Sequence, residues 1–197
     1  ALLNETIDVA VHSAKDLPTE MRPDLAIASY LPREWAHDVL IVREGRCIPK
    51  SLATGSPRRR AQARRLFPDA AWKEIRGNVE SRLEKIAAGA ADATILASAG
   101  LKRLGIAQWP GVVLKPLSLD HVVPAVGQGA IALQTRAVEV ERYCGFLDGA
   151  TALAVNLERR FLARLGGGCH TAFAAHFCNG VFRIYHESCG IRSFPIP

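Results

Sequence analysis

No stretch of this 197-residue chain approaches the roughly 20 consecutive apolar residues that a membrane-spanning helix requires, so the sequence predicts no membrane segment. The opening residues Ala1-Leu2-Leu3-Asn4-Glu5 bring neither the basic flank nor the apolar region of an export signal. The five cysteines, Cys47, Cys144, Cys169, Cys178 and Cys189, are odd in number, scattered and free of CxxC spacing. That argues against a disulfide framework or a metal site and favours a reducing, cytoplasmic setting. Internal repeats and low-complexity tracts are absent. Aromatic residues are few, 7% of the chain, and none interleaves with the basic cluster at 58–65. Nucleic-acid binding by base stacking is therefore poorly supported.

What is present is a composition able to bury a core, with 49% hydrophobic residues and a net charge of +6. The cations are mostly arginine, nineteen against six lysines. The planar guanidinium matches carboxylates and phosphates, so the bias points to anionic ligands. Strand and helix patterns alternate, which predicts α/β units with parallel strands. Strands are expected before Ser13 and at 25–30, 38–42, 72–75, 93–97 and 130–134, and helices at 57–67, 79–88, 98–104 and 152–164. Ser56 followed by Pro57, and Asn78 before Val79, are helix-start signals. In the last predicted helix Leu153, Leu157 and Phe161 fall in register for burial.

Four segments carry chemistry. Ser13-Ala14-Lys15-Asp16 closes an apolar run and reads either as a ligand site beyond a strand end or as a surface ion pair. Thr54-Gly55-Ser56-Pro57-Arg58-Arg59 places hydroxyls and two cations at a helix N-terminus. There an anion would offset the unfavourable dipole, the alternative being a solvated basic face. Arg76-Gly77-Asn78, with Arg82 one turn on, is a second anion-site candidate or simply a capped helix with a solvated arginine. Gly166-Gly167-Gly168-Cys169-His170 offers an accessible thiol on a glycine loop, as nucleophile or attachment point, or an incidental cysteine past a helix stop. Gly127-Gln128-Gly129 reads as a hinge or a tight turn.

These motifs, with His12-Ser13-Ala14-Lys15-Asp16, Arg76 to Leu83, Ala125 to Gly129 and Leu157-Glu158-Arg159-Arg160 up to Cys169, occur in the order and spacing of the porphobilinogen deaminase (hydroxymethylbilane synthase) family, which the chain resembles over residues 1 to about 185. The resemblance implies a transferase of tetrapyrrole biosynthesis. It would join four porphobilinogen molecules head to tail with loss of ammonia and release the linear hydroxymethylbilane. It implies a dipyrromethane cofactor held by a thioether to Cys169. Asp16 would be the catalytic carboxylate, binding pyrrole N–H groups and stabilising charge on the ring nitrogen, with Lys15 beside it. Arg58, Arg59, Arg76 and Arg82, helped by Ser13, Thr54 and Ser56, would take the acetate and propionate groups. Gly77 and Gln128 complete the implied cofactor-binding set, Gln128 in a hinge. No metal is implied.

The implied fold is α/β: two type II periplasmic-binding-protein-like domains facing across a cleft, plus a small C-terminal domain bearing the cofactor loop. The expected domains are 1–31 with 122–145, then 32–121, then 146–197, in a monomer. The sequence departs from the family pattern in lacking a preceding strand and helix with an Arg-x-Ser-x-Leu-Ala motif and in a short C-terminal domain. It therefore reads as truncated at both ends, with weak or no turnover expected. Two rival readings use the same arginines. One is a non-catalytic anion-binding protein of the periplasmic-binding-protein type, which leaves Cys169 without a role. The other is nucleic-acid binding through 58–65, whose signature would be salt-dependent DNA retention.

Overall fold

The computed structural model describes residues 1–165 and 172–196. In chain order the elements are β1 (Ala10–Ser13), β2 (Leu25–Tyr30), β3 (Asp38–Arg43), β4 (Ser51–Ala53), α1 (Pro57–Leu66), β5 (Ala71–Lys73), α2 (Val79–Ala87), β6 (Ala93–Ala97), α3 (Ser98–Arg103) and β7 (Val112–Pro116). Then follow β8 (Ile131–Arg136), α4 (Val140–Tyr143), α5 (Gly149–Arg164), β9 (Ala174–Cys178), β10 (Val181–His186) and β11 (Gly190–Pro195). Among the described residues no helix is long and apolar enough to cross a membrane.

The strands form three sheets: β1-β8-β2, β5-β4-β6-β3-β7 and β11-β10-β9. Each of the first two is the base of one α/β body. The all-parallel expectation fails here. Only β4 pairs in parallel, with β5 and with β6; β3 runs antiparallel to β6 and β7, and β8 antiparallel to β1 and β2. β3 and β8 are the strands that follow each crossing between bodies. Each enters its sheet against the local direction, the mixed arrangement expected of type II periplasmic-binding-protein-like domains.

Local chemistry sets the helix starts. Ser56 caps α1 by accepting from Arg59 N, with Pro57 at the first helical position. Asn78 caps α2 by accepting from Ser81 N at 2.8 Å. The second body closes around Ile41, Leu83 and Ile86, all fully buried. Each such side chain contributes about 1.5–3 kcal/mol of burial free energy. In α5 the register reading holds only in part. Leu157 and Phe161 pack against the third sheet beside Phe173 and Phe182, but Leu153 is 64% exposed, because α5 turns that face outward one turn earlier. Strands β4, β7, β9, β10 and β11 and the short α4 are additions to the sequence reading.

The chain crosses between bodies at 31–37 and returns at 117–130. The two crossings touch backbone to backbone. Glu34 N donates to Gly129 O at 3.1 Å, and a Cβ on Gly129 (φ +88°) would stand 2.3 Å from Glu34 O. No residue but glycine fits there.

Candidate active-site cleft

The end of β1 brings Lys15 and Asp16, in a 3-10 turn, to the space between the bodies. That space has two lobes. The first, about 380 Å³, lies between the 14–19 segment, the start of α1, and the α5–β9 region, where Leu162 and Phe173 form an apolar wall. The second, about 300 Å³, faces the start of α2 and α3 and is walled by Ser13, Gly77, Asn78, Arg82 and Arg103. Lys15, Asp16, Arg59 and Gln128 line both lobes. Asp16 is the one carboxylate among the lining residues, against Lys15, Arg58, Arg59, Arg82, Arg103 and Arg159.

The surface ion pair does not form. Neither Lys15 nor Asp16 has a side-chain hydrogen-bond or ion-pair partner among the described residues. Burial, and then the neighbouring Arg59 charge, pull the Lys15 pKa below the usual lysine value. An anion beside Lys15 would reverse that.

Arg58 and Arg59 are buried rather than solvated, and the charge that offsets them is internal. Arg58 Nη1 donates to Asp38 Oδ2 at 2.8 Å and to Val123 O at 2.7 Å. Arg59 Nε and Nη2 donate to Asp38 Oδ1 at 3.1 and 2.8 Å. Burial opposes ionisation of Asp38, but the two guanidinium charges outweigh it and hold its pKa far below the carboxylate range. The α1 N-terminus has no acidic residue of its own, so Asp38, arriving on β3, answers for it. One carboxylate against two guanidiniums leaves an excess positive charge, and Arg59 Nη1 has no hydrogen-bond partner among the described residues. Asp38 is missed by the sequence reading, although an acid heading the apolar run Val39-Leu40-Ile41-Val42 is a legible signal.

The other expected residues divide. Ser56 lines the first lobe, while Ser13, Gly77 and Arg82 line the second, Arg82 donating through Nε to Gly77 O at 2.8 Å. Gln128 is buried and spends its amide on Ala36 O (2.6 Å) and Asp38 Oδ1 (3.0 Å), tying the two crossings together. Thr54 is buried outside both walls, where its hydroxyl accepts from Ser56 N. Arg76 is exposed and lines neither lobe; its carbonyl accepts from Lys85 Nζ. Cys169 and its glycine loop lie outside the described residues.

Behind the first lobe, Glu158 joins three parts of the molecule. It accepts from Arg33 Nη1 and Nη2 (2.7 and 3.2 Å), Gly127 N (2.8 Å) and Phe177 N (2.8 Å). His176 Nδ1 lies 3.3 Å away but misaligned for a hydrogen bond. Burial disfavours the Glu158 charge, yet His176 and Arg33 hold its pKa below normal.

The donor set, cations in excess around a free carboxylate, fits a ligand carrying both carboxylates and N–H groups. The sequence model of the family described as "Porphobilinogen deaminase, dipyromethane cofactor binding domain" matches residues 1–142. Porphobilinogen deaminase of Roseiflexus sp. (strain RS-1) is 43% identical over 177 residues, covering 86% of this chain and 57% of that protein. That of Nitrobacter winogradskyi is 42% identical over 185 residues, covering 89% and 57%. The chain thus spans somewhat more than half the length of the curated relatives it matches. Among solved structures, an ABC transporter protein from Parabacteroides distasonis aligns at 16% identity and a TM-score of 0.49, covering 87% of this chain and 66% of that one.

Proposed function

The chain belongs to the porphobilinogen deaminase family, and from that premise we propose that its cleft binds porphobilinogen and the pyrrole chain grown from it, for head-to-tail condensation with loss of ammonia. The carrying observation is the unpartnered Lys15-Asp16 pair at the floor shared by both lobes. The dipyrromethane, when bound through Cys169, would supply the primer that is extended; Lys15, Ser56, Arg58, Arg59 and the apolar wall at Leu162 and Phe173 would hold it in the first lobe.

Each residue then has a task. Asp16 accepts hydrogen bonds from pyrrole N–H groups and, as the substrate amine leaves, offsets the positive charge on the ring nitrogen. Such a preorganised counter-charge is worth about 10²–10³ in rate. Arg59 and Lys15 bind carboxylates beside it, with Arg58 fixed behind them by Asp38. Arg82 takes carboxylates in the second lobe, and Arg76, reaching from outside the wall, meets them at its rim. The apolar wall excludes water, which strengthens each of these charged contacts.

Two measurements test this. Intact mass of protein expressed in a haem-making host should show an addition of two linked pyrrole units that vanishes in Cys169→Ser. Purified chain should bind porphobilinogen, and Lys15→Gln should weaken that binding. Protein with no adduct and no porphobilinogen affinity would defeat the proposal.

A further inference from the structure

The cleft does not end at its two lobes. Thr19 and Arg159, on the wall of the first lobe, also wall an outer groove of about 430 Å³ with Asn156, Arg160 and Ala163. Four of these sit on α5 at spacings of three, four and seven, one helix face. At such spacing a helix commonly buries apolar side chains; here the stripe is an amide, two guanidiniums and a methyl that leaves room. Arg159 Nη2 donates to Pro18 O (2.7 Å) and Thr19 O (3.3 Å), tying α5 to the segment just after Asp16. Its remaining N–H groups, and the exposed Arg160 guanidinium, have no protein partner among the described residues. The helix dipole alone does not account for them, because both precede the last turn of α5, where Arg164 already stands.

We propose that this groove is a third subsite, which receives the carboxylates of the pyrrole chain once it outgrows the two lobes. The inference rests on the function proposed above. Each lobe is at the low end of the size range of single small-molecule sites, whereas the chain gains a ring and two carboxylates at every step. The groove adjoins the lobe next to α5 and shares Thr19 and Arg159 with it, so a chain lengthening along that lobe extends toward the groove. Arg159 stands in the shared wall, and Arg160 is the exposed cation of the groove.

The test measures binding of porphobilinogen and of a stable linear octacarboxylate bilin to the chain, to Arg160→Glu, to Arg160→Lys and to Arg64→Glu. Arg64 is an exposed cation on α1 that lines no part of the cleft. Arg160→Glu should weaken the bilin about tenfold, more than it weakens porphobilinogen, as reversal of a partly exposed contact predicts. Arg160→Lys should restore most of the bilin affinity, and Arg64→Glu should change neither ligand. Equal losses of bilin in Arg160→Glu and Arg64→Glu, or none in either, would overturn the groove and leave the proposed function standing. A wild-type chain that binds no porphobilinogen would remove the proposed function, and the groove with it.

Discussion

Two helices begin at the cleft, both with a polar cap and nearby arginines, and they treat those arginines in opposite ways. At α1, Arg58 and Arg59 are buried and clamped by Asp38, a carboxylate twenty residues upstream of the first of them. At α2, Arg76 is exposed and, among the described residues, Arg82 is held only by the Gly77 carbonyl. The first pair is a fixed positive field whose geometry does not wait for a ligand. The second is less fixed and, under the proposed function, would suit carboxylates whose positions change as a pyrrole chain grows. The same local motif, a capped helix start with cations, thus yields preorganisation or adaptability according to whether a distant strand delivers a counter-ion.

The comparison breaks most sharply at Asp38. Asp38→Asn leaves two buried guanidiniums without their carboxylate, which should cost about 3–5 kcal/mol in urea or guanidinium unfolding. If stability were unchanged, the α1 arginines would have to be no more fixed than those at α2. Next in size is Asp16→Asn, in protein extended to the length of its relatives. Porphobilinogen should still bind, but single-turnover condensation should slow about 10²–10³-fold. Normal turnover would move the charge-stabilising role elsewhere.

Acid acts on the brace behind the cleft. Burial, partly countered by Glu158, holds the His176 pKa below 6.5 in the fold. The unfolded chain therefore takes up a proton before the folded one does. The stability from keeping His176 neutral is present above about pH 6.5 and lost as pH falls below it. The unfolding midpoint should drop between about pH 7.5 and about pH 5, and His176→Gln should flatten that slope. The smallest effects sharpen the α2 side. Arg82→Gln should weaken porphobilinogen binding several-fold and Arg76→Gln less, each with a stability change within about 0.5 kcal/mol.

What the sequence displays and what it hides follow from range. Strands Leu25–Tyr30 and Ala93–Ala97 were readable because their own residues are apolar and bounded by breakers. Caps at Ser56 and Asn78 were readable because a cap is made by neighbours in sequence. Pairing direction was not, since β3 and β8 look like any buried strand until a partner is known. The cleft residues Lys15, Asp16, Arg59 and Arg82 could be named from motif order, but the partners of Arg58 and Arg59 could not. Asp38 and Glu158 act over 19 to 125 residues of separation. Arg76 shows the reverse case: the motif groups it with the binding residues, and the fold leaves it exposed and outside both lobe linings.

The glycine contact between the crossings sets a dimension of the molecule. Because Gly129 meets the Glu34 carbonyl with no side chain between them, the two crossings lie at main-chain contact distance. The spacing of the crossings beside the cleft is then set by main-chain thickness. A methyl at residue 129 would act as a shim, and the gap it opened would spread, lever-like, to its greatest width at the mouth.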